Sequence, residues 1–120
     1  IVDDNIDSAT GLTMCLQNEG YELRMAHTGN DGIKQANKWQ PDVVLLDIGL
    51  PDVDGYEVAR QLRANPIFDG VPIVAMTGYG GESDRRRATE AGFNHYLVKP
   101  VDFAELLELL KPMVARTALS

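Results

Sequence analysis

Cysteine is nearly absent from this chain of 120 residues, because Cys15 is its only one. A single cysteine excludes an internal disulfide and is typical of a reducing compartment, so we expect a cytoplasmic protein. Cys15 falls in an apolar helical pattern, which predicts a small buried core residue. Long apolar runs are also missing, and no signal peptide is recognisable, so we expect no membrane contact.

Basic residues are scarce as well: the net charge is -7, and Arg85-Arg86-Arg87 is the only basic cluster. Nucleic-acid binding requires clustered Lys and Arg, so direct contact with nucleic acid is not expected. The three arginines are most simply a solvated helix face. The length fits one domain over residues 1–120. Only Ile1 and Val2 precede the first acids, so we expect the first strand to be truncated.

Apolar and polar residues alternate along the chain in blocks that predict five strands and five helices. The helix predicted over residues 82–91 is polar and has few apolar anchors. Alternation of this kind forces parallel strands with right-handed crossovers and helices on both faces, which is a doubly wound α/β fold. The predicted strands cover residues 1–2, 21–25, 43–46, 72–76 and 96–98.

The strongest strand pattern is Val43-Val44-Leu45-Leu46, which is followed directly by Asp47. Four branched apolar residues in a row are typical of a strand that is buried on both faces. Ligands of open parallel sheets bind just outside the carboxyl ends of the strands. Asp47 is therefore expected where such a sheet presents its chemistry.

Three other predicted strands also end in polar side chains, namely Asp3-Asp4, Thr77 and Lys99. Three carboxylates at one sheet edge repel one another unless a cation joins them. Oxygen ligands without His or Cys suit Mg²⁺. A lysine and a threonine beside a metal-bound carboxylate indicate phosphoryl transfer, in which an aspartate can be the nucleophile and form an acyl phosphate.

Four short motifs stand at the ends of the predicted strands, namely Val2-Asp3-Asp4-Asn5, Leu46-Asp47 with Leu50-Pro51 and Gly55, Thr77-Gly78, and Lys99-Pro100. With these motifs in this order, the chain resembles, over nearly its whole length, the receiver domain of two-component response regulators. The resemblance implies a flavodoxin-like receiver fold with a five-stranded parallel sheet in the order 2-1-3-4-5. It also implies a phosphoryl-accepting switch in a phosphorelay, in which Asp47 takes a phosphoryl group from the phosphohistidine of a histidine kinase.

The same resemblance implies a set of magnesium ligands. Asp4 and Asp47 would bind Mg²⁺ together with the backbone carbonyl of Gly49. Asp3 would act mainly through a metal-bound water. Gly49 departs from the family pattern because it leaves no side chain two residues after the acceptor.

Residues at the later strand ends take phosphoryl-binding and switching roles in the resemblance. Lys99 would contact the phosphoryl group, and the Lys99-Pro100 bond would be cis. Thr77 would swing toward the phosphoryl oxygens, for which Gly78 leaves room. Tyr96 matches the aromatic switch position, which turns inward on activation. The bulky Tyr79 departs from the pattern and would shield the site.

The output is expected on the face formed by residues 82–91, the last strand and the last helix, which is also a possible dimer interface. The loop at 77–80 and Arg85-Arg86-Arg87 resemble receivers fused to hybrid histidine kinases, and a stand-alone single-domain regulator is the alternative. The isolated domain is not expected to be an enzyme. An aspartyl-nucleophile phosphatase would need a second acid at Gly49, and an inert receiver-like module would have lost the acceptor, the acid pair or the lysine.

Overall fold

The computed structural model describes residues 1–78 and 82–119, with side chains for residues 1–78 and 84–113. These residues contain three strands, five helices and one short 3-10 turn. In chain order these are α1 (Ile6–Asn18), α2 (Gly29–Trp39), β1 (Val44–Asp47), α3 (Gly55–Arg63), the turn (Pro66–Phe68), β2 (Ile73–Thr77), α4 (Glu82–Ala91), β3 (His95–Val98) and α5 (Phe103–Leu119).

The strands form a parallel sheet in the order β1-β2-β3. Val2 extends this sheet by single parallel bridges, to Leu46 on one side and to Ala26 on the other. The prediction of an α/β fold with a parallel sheet is confirmed. The complete five-strand order stays a prediction, because the first two positions are occupied by isolated bridges.

Residues 21–25 do not form the strand that their alternating pattern predicts. Three backbone hydrogen bonds join this part of the chain to residues 1–3. The carbonyl of Ala26 accepts from the N–H of Asp3 at 3.0 Å, its N–H donates to Ile1 O at 2.9 Å, and the carbonyl of Arg24 accepts from the amino group of Ile1 at 2.9 Å. A strand needs a continuous partner, and the neighbouring segment supplies one bridging residue. The alternation was therefore insufficient to predict a ladder.

The sheet separates two apolar cores, so the predicted helices on both faces are confirmed. Alternate residues of one strand enter different cores, as the period of two requires: Leu46 packs on one side and Leu45 on the other. The first core contains buried residues of α2, α3 and α4, and the second contains buried residues of α1 and α5. Among the described residues, none of the helices has the length and apolar character required to cross a membrane.

The buried face of α1 differs from the predicted one. Ala9, Thr13 and Leu16 are buried, whereas Cys15 is exposed. At about 100° per residue, Leu16 lies only about 20° around the helix from Ala9, but Cys15 lies about 120° away. The prediction that Cys15 is a core residue is therefore wrong, and Thr13 takes the place on the buried face.

Helix α4 contacts its neighbours partly through arginine side chains. The guanidinium of Arg87 lies 4.3 Å from the ring centroid of Tyr56, and that of Arg85 lies 5.3 Å from the ring centroid of Tyr96. Both arginines are exposed, as predicted for a solvated face, yet each also covers an aromatic ring. These stacks join α4 to α3 on one side and to β3 on the other.

Candidate functional site

Three carboxylates meet at the carboxyl end of the sheet. Asp47 is the last residue of β1, and Asp3 and Asp4 follow the bridging residue Val2. One oxygen of each carboxylate lies within 4.8 Å of the others. Asp3 is fully buried and Asp47 is 6% exposed, whereas Asp4 is open to solvent. The structure thus brings together the three acids that the sequence suggested as a group.

Lys99 lies between two of these acids. Its Nζ donates to Asp3 Oδ2 at 3.2 Å and to Asp47 Oδ2 at 3.1 Å. The residue follows directly on β3, its backbone N–H donates to Thr77 O at 2.6 Å, and the Lys99-Pro100 peptide bond is cis, as expected. One ammonium group therefore bridges two buried carboxylates.

The surroundings of the acids shift the ionisation of two groups. Burial raises the pKa of Asp3, and the charge of Asp47 adds to this, although the N–H of Asn5 and the charge of Lys99 act in the opposite direction. Burial lowers the pKa of Lys99, but its hydrogen bond and attraction to Asp47, together with those to Asp3, outweigh burial and raise it. The site holds more negative charge than its one lysine balances, so it favours a cation.

The remaining predicted site residues lie on the loops and strands around the acids. The N–H of Gly49 donates to Asp47 Oδ1 at 3.0 Å. Thr77 ends β2 and is half-buried; it follows Met76, which pairs in register with Asp47. Gly78 is exposed. Tyr79, suggested as a shield of the site, lies outside the described residues.

Tyr96 lies within β3, where it pairs in register with Ala75, and not at the strand end. Its half-buried ring packs against the core on the side of α2, α3 and α4. The guanidinium of Arg85 covers the ring. The structure therefore places Tyr96 beside α4, away from the end of β3 that carries Lys99.

His27 belongs to the surroundings of the site but was not predicted as a part of it. Its Nδ1 lies 3.0 Å from the backbone carbonyl oxygen of Asp3. A carbonyl oxygen only accepts, so Nδ1 must carry the hydrogen of this bond. The sequence signal that could have found it is its position just after the strand predicted over residues 21–25. In the structure, His27 directly follows Ala26, the residue that bridges to Val2.

The donor set fits a magnesium ion. The metal-binding group among the described residues consists of carboxylates only, without sulfur or nitrogen ligands. Hard oxygen ligands of this kind are those that Mg²⁺ prefers, and the exposed Asp4 leaves one side open for retained water. Asp3, Asp4 and Asp47 would surround the ion, and its charge would offset their mutual repulsion.

Removal of the bridging lysine is expected to destabilise the metal-free protein in a pH-dependent way. Lys99→Ala leaves two buried carboxylates without their cation, which we expect to cost about 1–3 kcal/mol near neutral pH after allowance for the partly exposed lysine. The loss should shrink at about pH 4, where carboxyl groups take up protons. Because the pKa of Lys99 is raised, its stabilising contribution in the wild type is present below the ordinary lysine pKa of 10.5 and is lost as the pH rises through the higher folded value.

Urea unfolding in EDTA at the two pH values would measure this effect. Lys111→Ala is a matched control, because Lys111 is an exposed lysine whose ionic partner among the described side chains is the exposed Glu108. An equal loss of stability at both pH values in Lys99→Ala would contradict the explanation through buried carboxylates.

Comparison with known proteins gives consistent matches. The family model described as the response regulator receiver domain matches residues 1–111. Protein PilH of Pseudomonas aeruginosa is 34% identical over 115 residues, which cover 96% of this chain and 95% of PilH. The receiver domain of the sensor histidine kinase PA1611 from P. aeruginosa, solved with a magnesium ion in its active-site cleft, is 33% identical with a TM-score of 0.86, covering 95% of this chain and 93% of that one.

Several other relatives are longer than this chain. The transcriptional regulatory protein TrcR of Mycobacterium tuberculosis is 33% identical over 118 residues, which cover 98% of this chain but 45% of TrcR. The chain thus spans about half the length of relatives of this kind. The similarity covers the domain described above and leaves the rest of such relatives unmatched.

Proposed function

The chain belongs to the response regulator receiver domain family, and we propose that it is a phosphoryl-accepting signalling switch in a cytoplasmic two-component phosphorelay. Receiver domains are signalling switches and not classical enzymes. The observation that carries the proposal is the position of Asp47, which lies among two further acids and 3.1 Å from the Nζ of Lys99. We assign residues 1–120 to one receiver domain, and the two bridges of Val2 support the sheet order 2-1-3-4-5.

In the proposed reaction, a carboxylate oxygen of Asp47 attacks the phosphorus of a phosphohistidine on a histidine kinase. A P–O bond forms while the P–N bond breaks, and the imidazole of the donor leaves with the bonding electron pair. Lys99 already contacts Asp47, so its ammonium group is placed to balance charge on a phosphoryl oxygen. Magnesium would neutralise further charge on the transferred group.

The ligands and phosphoryl contacts follow from the same assignment. Asp4, Asp47 and the carbonyl of Gly49 would hold Mg²⁺, with Asp3 acting through a bound water. The hydroxyl of Thr77 would donate to a phosphoryl oxygen, and Gly78 would leave room for that oxygen.

The proposed output passes through α4, β3 and α5. Movement of Thr77 toward the phosphoryl group would be accompanied by an inward turn of Tyr96, whose ring now lies under Arg85. Among the described side chains of α4, only those of Ala88 and Ala91 are buried. A helix with so little buried area can shift at low cost, so this face is suited to a partner or to a second copy of the domain.

Two parent architectures are each favoured by one observation. The similarity to the receiver of the sensor kinase PA1611 favours a hybrid histidine kinase, which we propose as the parent. PilH, which the chain covers almost completely, favours a stand-alone regulator. A phosphatase is disfavoured, because Gly49 supplies no second acid.

Phosphoryl uptake from a small donor tests the proposed function directly. We expect that incubation with acetyl phosphate and Mg²⁺ adds the mass of one phosphoryl group to the intact protein, because the acceptor and its charge-balancing groups are on one chain. EDTA should prevent the addition. Failure to gain mass, or an equal gain in EDTA, would overturn the proposal.

A further inference from the structure

The loop between β1 and α3, residues 48–54, is tied to helix α2 by one carboxylate. Oδ1 of Asp52 accepts from the backbone N–H of Gly29 at 2.8 Å, and Oδ2 accepts from that of Asn30 at 3.0 Å. These are the first two amides of α2, which have no acceptor within the helix. The next amide, that of Asp31, donates to Thr28 Oγ1 at 3.1 Å. The start of α2 is therefore capped partly by its own segment and partly by the distant loop.

Packing at the same place is too close for a side chain on Gly29. A Cβ atom there would lie 3.1 Å from Val53 Cβ, 3.2 Å from Val53 O and 2.9 Å from Val58 Cγ2. The loop thus touches α2 through two successive residues, one by hydrogen bonds and one by van der Waals contact. This double contact fixes the distance between the tip of the loop and the helix.

The base of the loop is fixed independently. The N–H of Gly55 donates to Ile48 O at 3.0 Å, and the N–H of Gly49 donates to Asp47 Oδ1 at 3.0 Å. Residues 49–51 therefore lie between an anchored base and an anchored tip. A carboxylate is well suited to the tip position, because the start of a helix attracts negative charge. The amides of Asn30 and Gly29 also lower the pKa of Asp52, so the group is ionised at neutral pH.

We propose that Asp52 is a positioning residue for the metal site, which holds the Gly49 backbone in place by clamping the loop to α2. The inference rests on the proposed function, in which the carbonyl of Gly49 is a magnesium ligand. Asp52 acts through the loop and not by contact with the ion. A loop that is ordered in advance loses less freedom when the ion binds, so the clamp raises the affinity for Mg²⁺.

Magnesium titration of Asp52→Ala by calorimetry tests this role. We expect an affinity about tenfold weaker than that of the wild type, as for residues that support metal ligands without touching the metal. Asp52→Asn keeps one acceptor oxygen and should fall between the two. In the metal-free Asp52→Ala protein, the amides of Gly29 and Asn30 should also exchange with solvent faster.

Thr28→Ala is the matched control, because it removes a cap from the same end of α2 without touching the loop. We expect it to weaken α2 while the Mg²⁺ affinity stays at the wild-type value. Wild-type affinity in Asp52→Ala, or an equal loss in Thr28→Ala, would overturn the positioning role while leaving the proposed function intact. A wild-type protein that binds no Mg²⁺ would instead overturn the proposed function, and the positioning role with it.

Discussion

Asp47→Asn is expected to take up no phosphoryl group from acetyl phosphate under conditions in which the wild type is modified. An amide oxygen is a poor nucleophile toward phosphorus, whereas the carboxylate forms the acyl phosphate. The substitution is nearly isosteric, and the one amide oxygen can still accept from either Gly49 or Lys99. The expected loss is therefore a loss of chemistry in a folded protein.

Stability measurements distinguish the loss of the nucleophile from a loss of the folded structure. The charge of Asp47 contributes to the raised pKa of the buried Asp3, so its removal relieves a repulsion in the metal-free protein. We expect the free energy of unfolding of Asp47→Asn in EDTA to stay within about 1 kcal/mol of the wild type. Mg²⁺ should stabilise the variant much less than the wild type, because one ligand charge is gone.

Asp69→Asn is a suitable control for Asp47→Asn, since it makes the same chemical change at an exposed position. It should accept a phosphoryl group as the wild type does. Intact-mass measurement after incubation compares the three proteins. Phosphorylation of Asp47→Asn to the wild-type extent would mean that another residue is the acceptor.

Gly55→Ala is expected to cause the largest loss of stability among single-methyl additions to the described glycines. A Cβ atom at residue 55 would lie 2.5 Å from Ile48 Cα and 2.6 Å from Asp47 O, and both are backbone atoms. A flexible side chain could move aside, but here the backbone next to Asp47 must shift. We expect a cost of about 3 kcal/mol in the free energy of unfolding, at the upper end for overpacking. Chemical denaturation would measure it.

Gly11→Ala provides the opposite case on the same chain. Gly11 lies within α1, and a Cβ atom there would meet nothing within 4 Å. Alanine lowers the entropy of the unfolded chain, so this variant should be more stable by about 0.5–1 kcal/mol. A similar loss in both variants would mean that the close approach at residue 55 does not determine the cost.

The acids and the lysine of the site were predictable because their positions follow from one geometric rule. Parallel strands end at the same edge, so Asp3, Asp47 and Lys99 had to meet despite their separation in the sequence. The inward face of α3 was predictable from helical spacing, since Val58, Ala59 and Leu62 lie on one side of the helix and all three are buried.

The features that the sequence did not reveal depend on contacts between segments that are distant in the sequence. No spacing marks Asp52 as the cap of a helix that begins at Gly29, because the two meet only when the loop folds against α2. The alternation at residues 21–25 predicted a strand, but backbone pairing is decided by the partner segment. Cys15 shows a different failure, since counting it as apolar ignored its angle around α1.

The unequal exposure of the three acids has a consequence for the rate at which a metal ion would bind. Asp3 and Asp47 are buried, while Asp4 is exposed. In the proposed function, a divalent ion would therefore reach Asp4 without displacing any of the described residues, and its arrival would be limited by how quickly the hydrated ion sheds water. Occupancy should consequently follow the free ion concentration of the surroundings without delay from the protein.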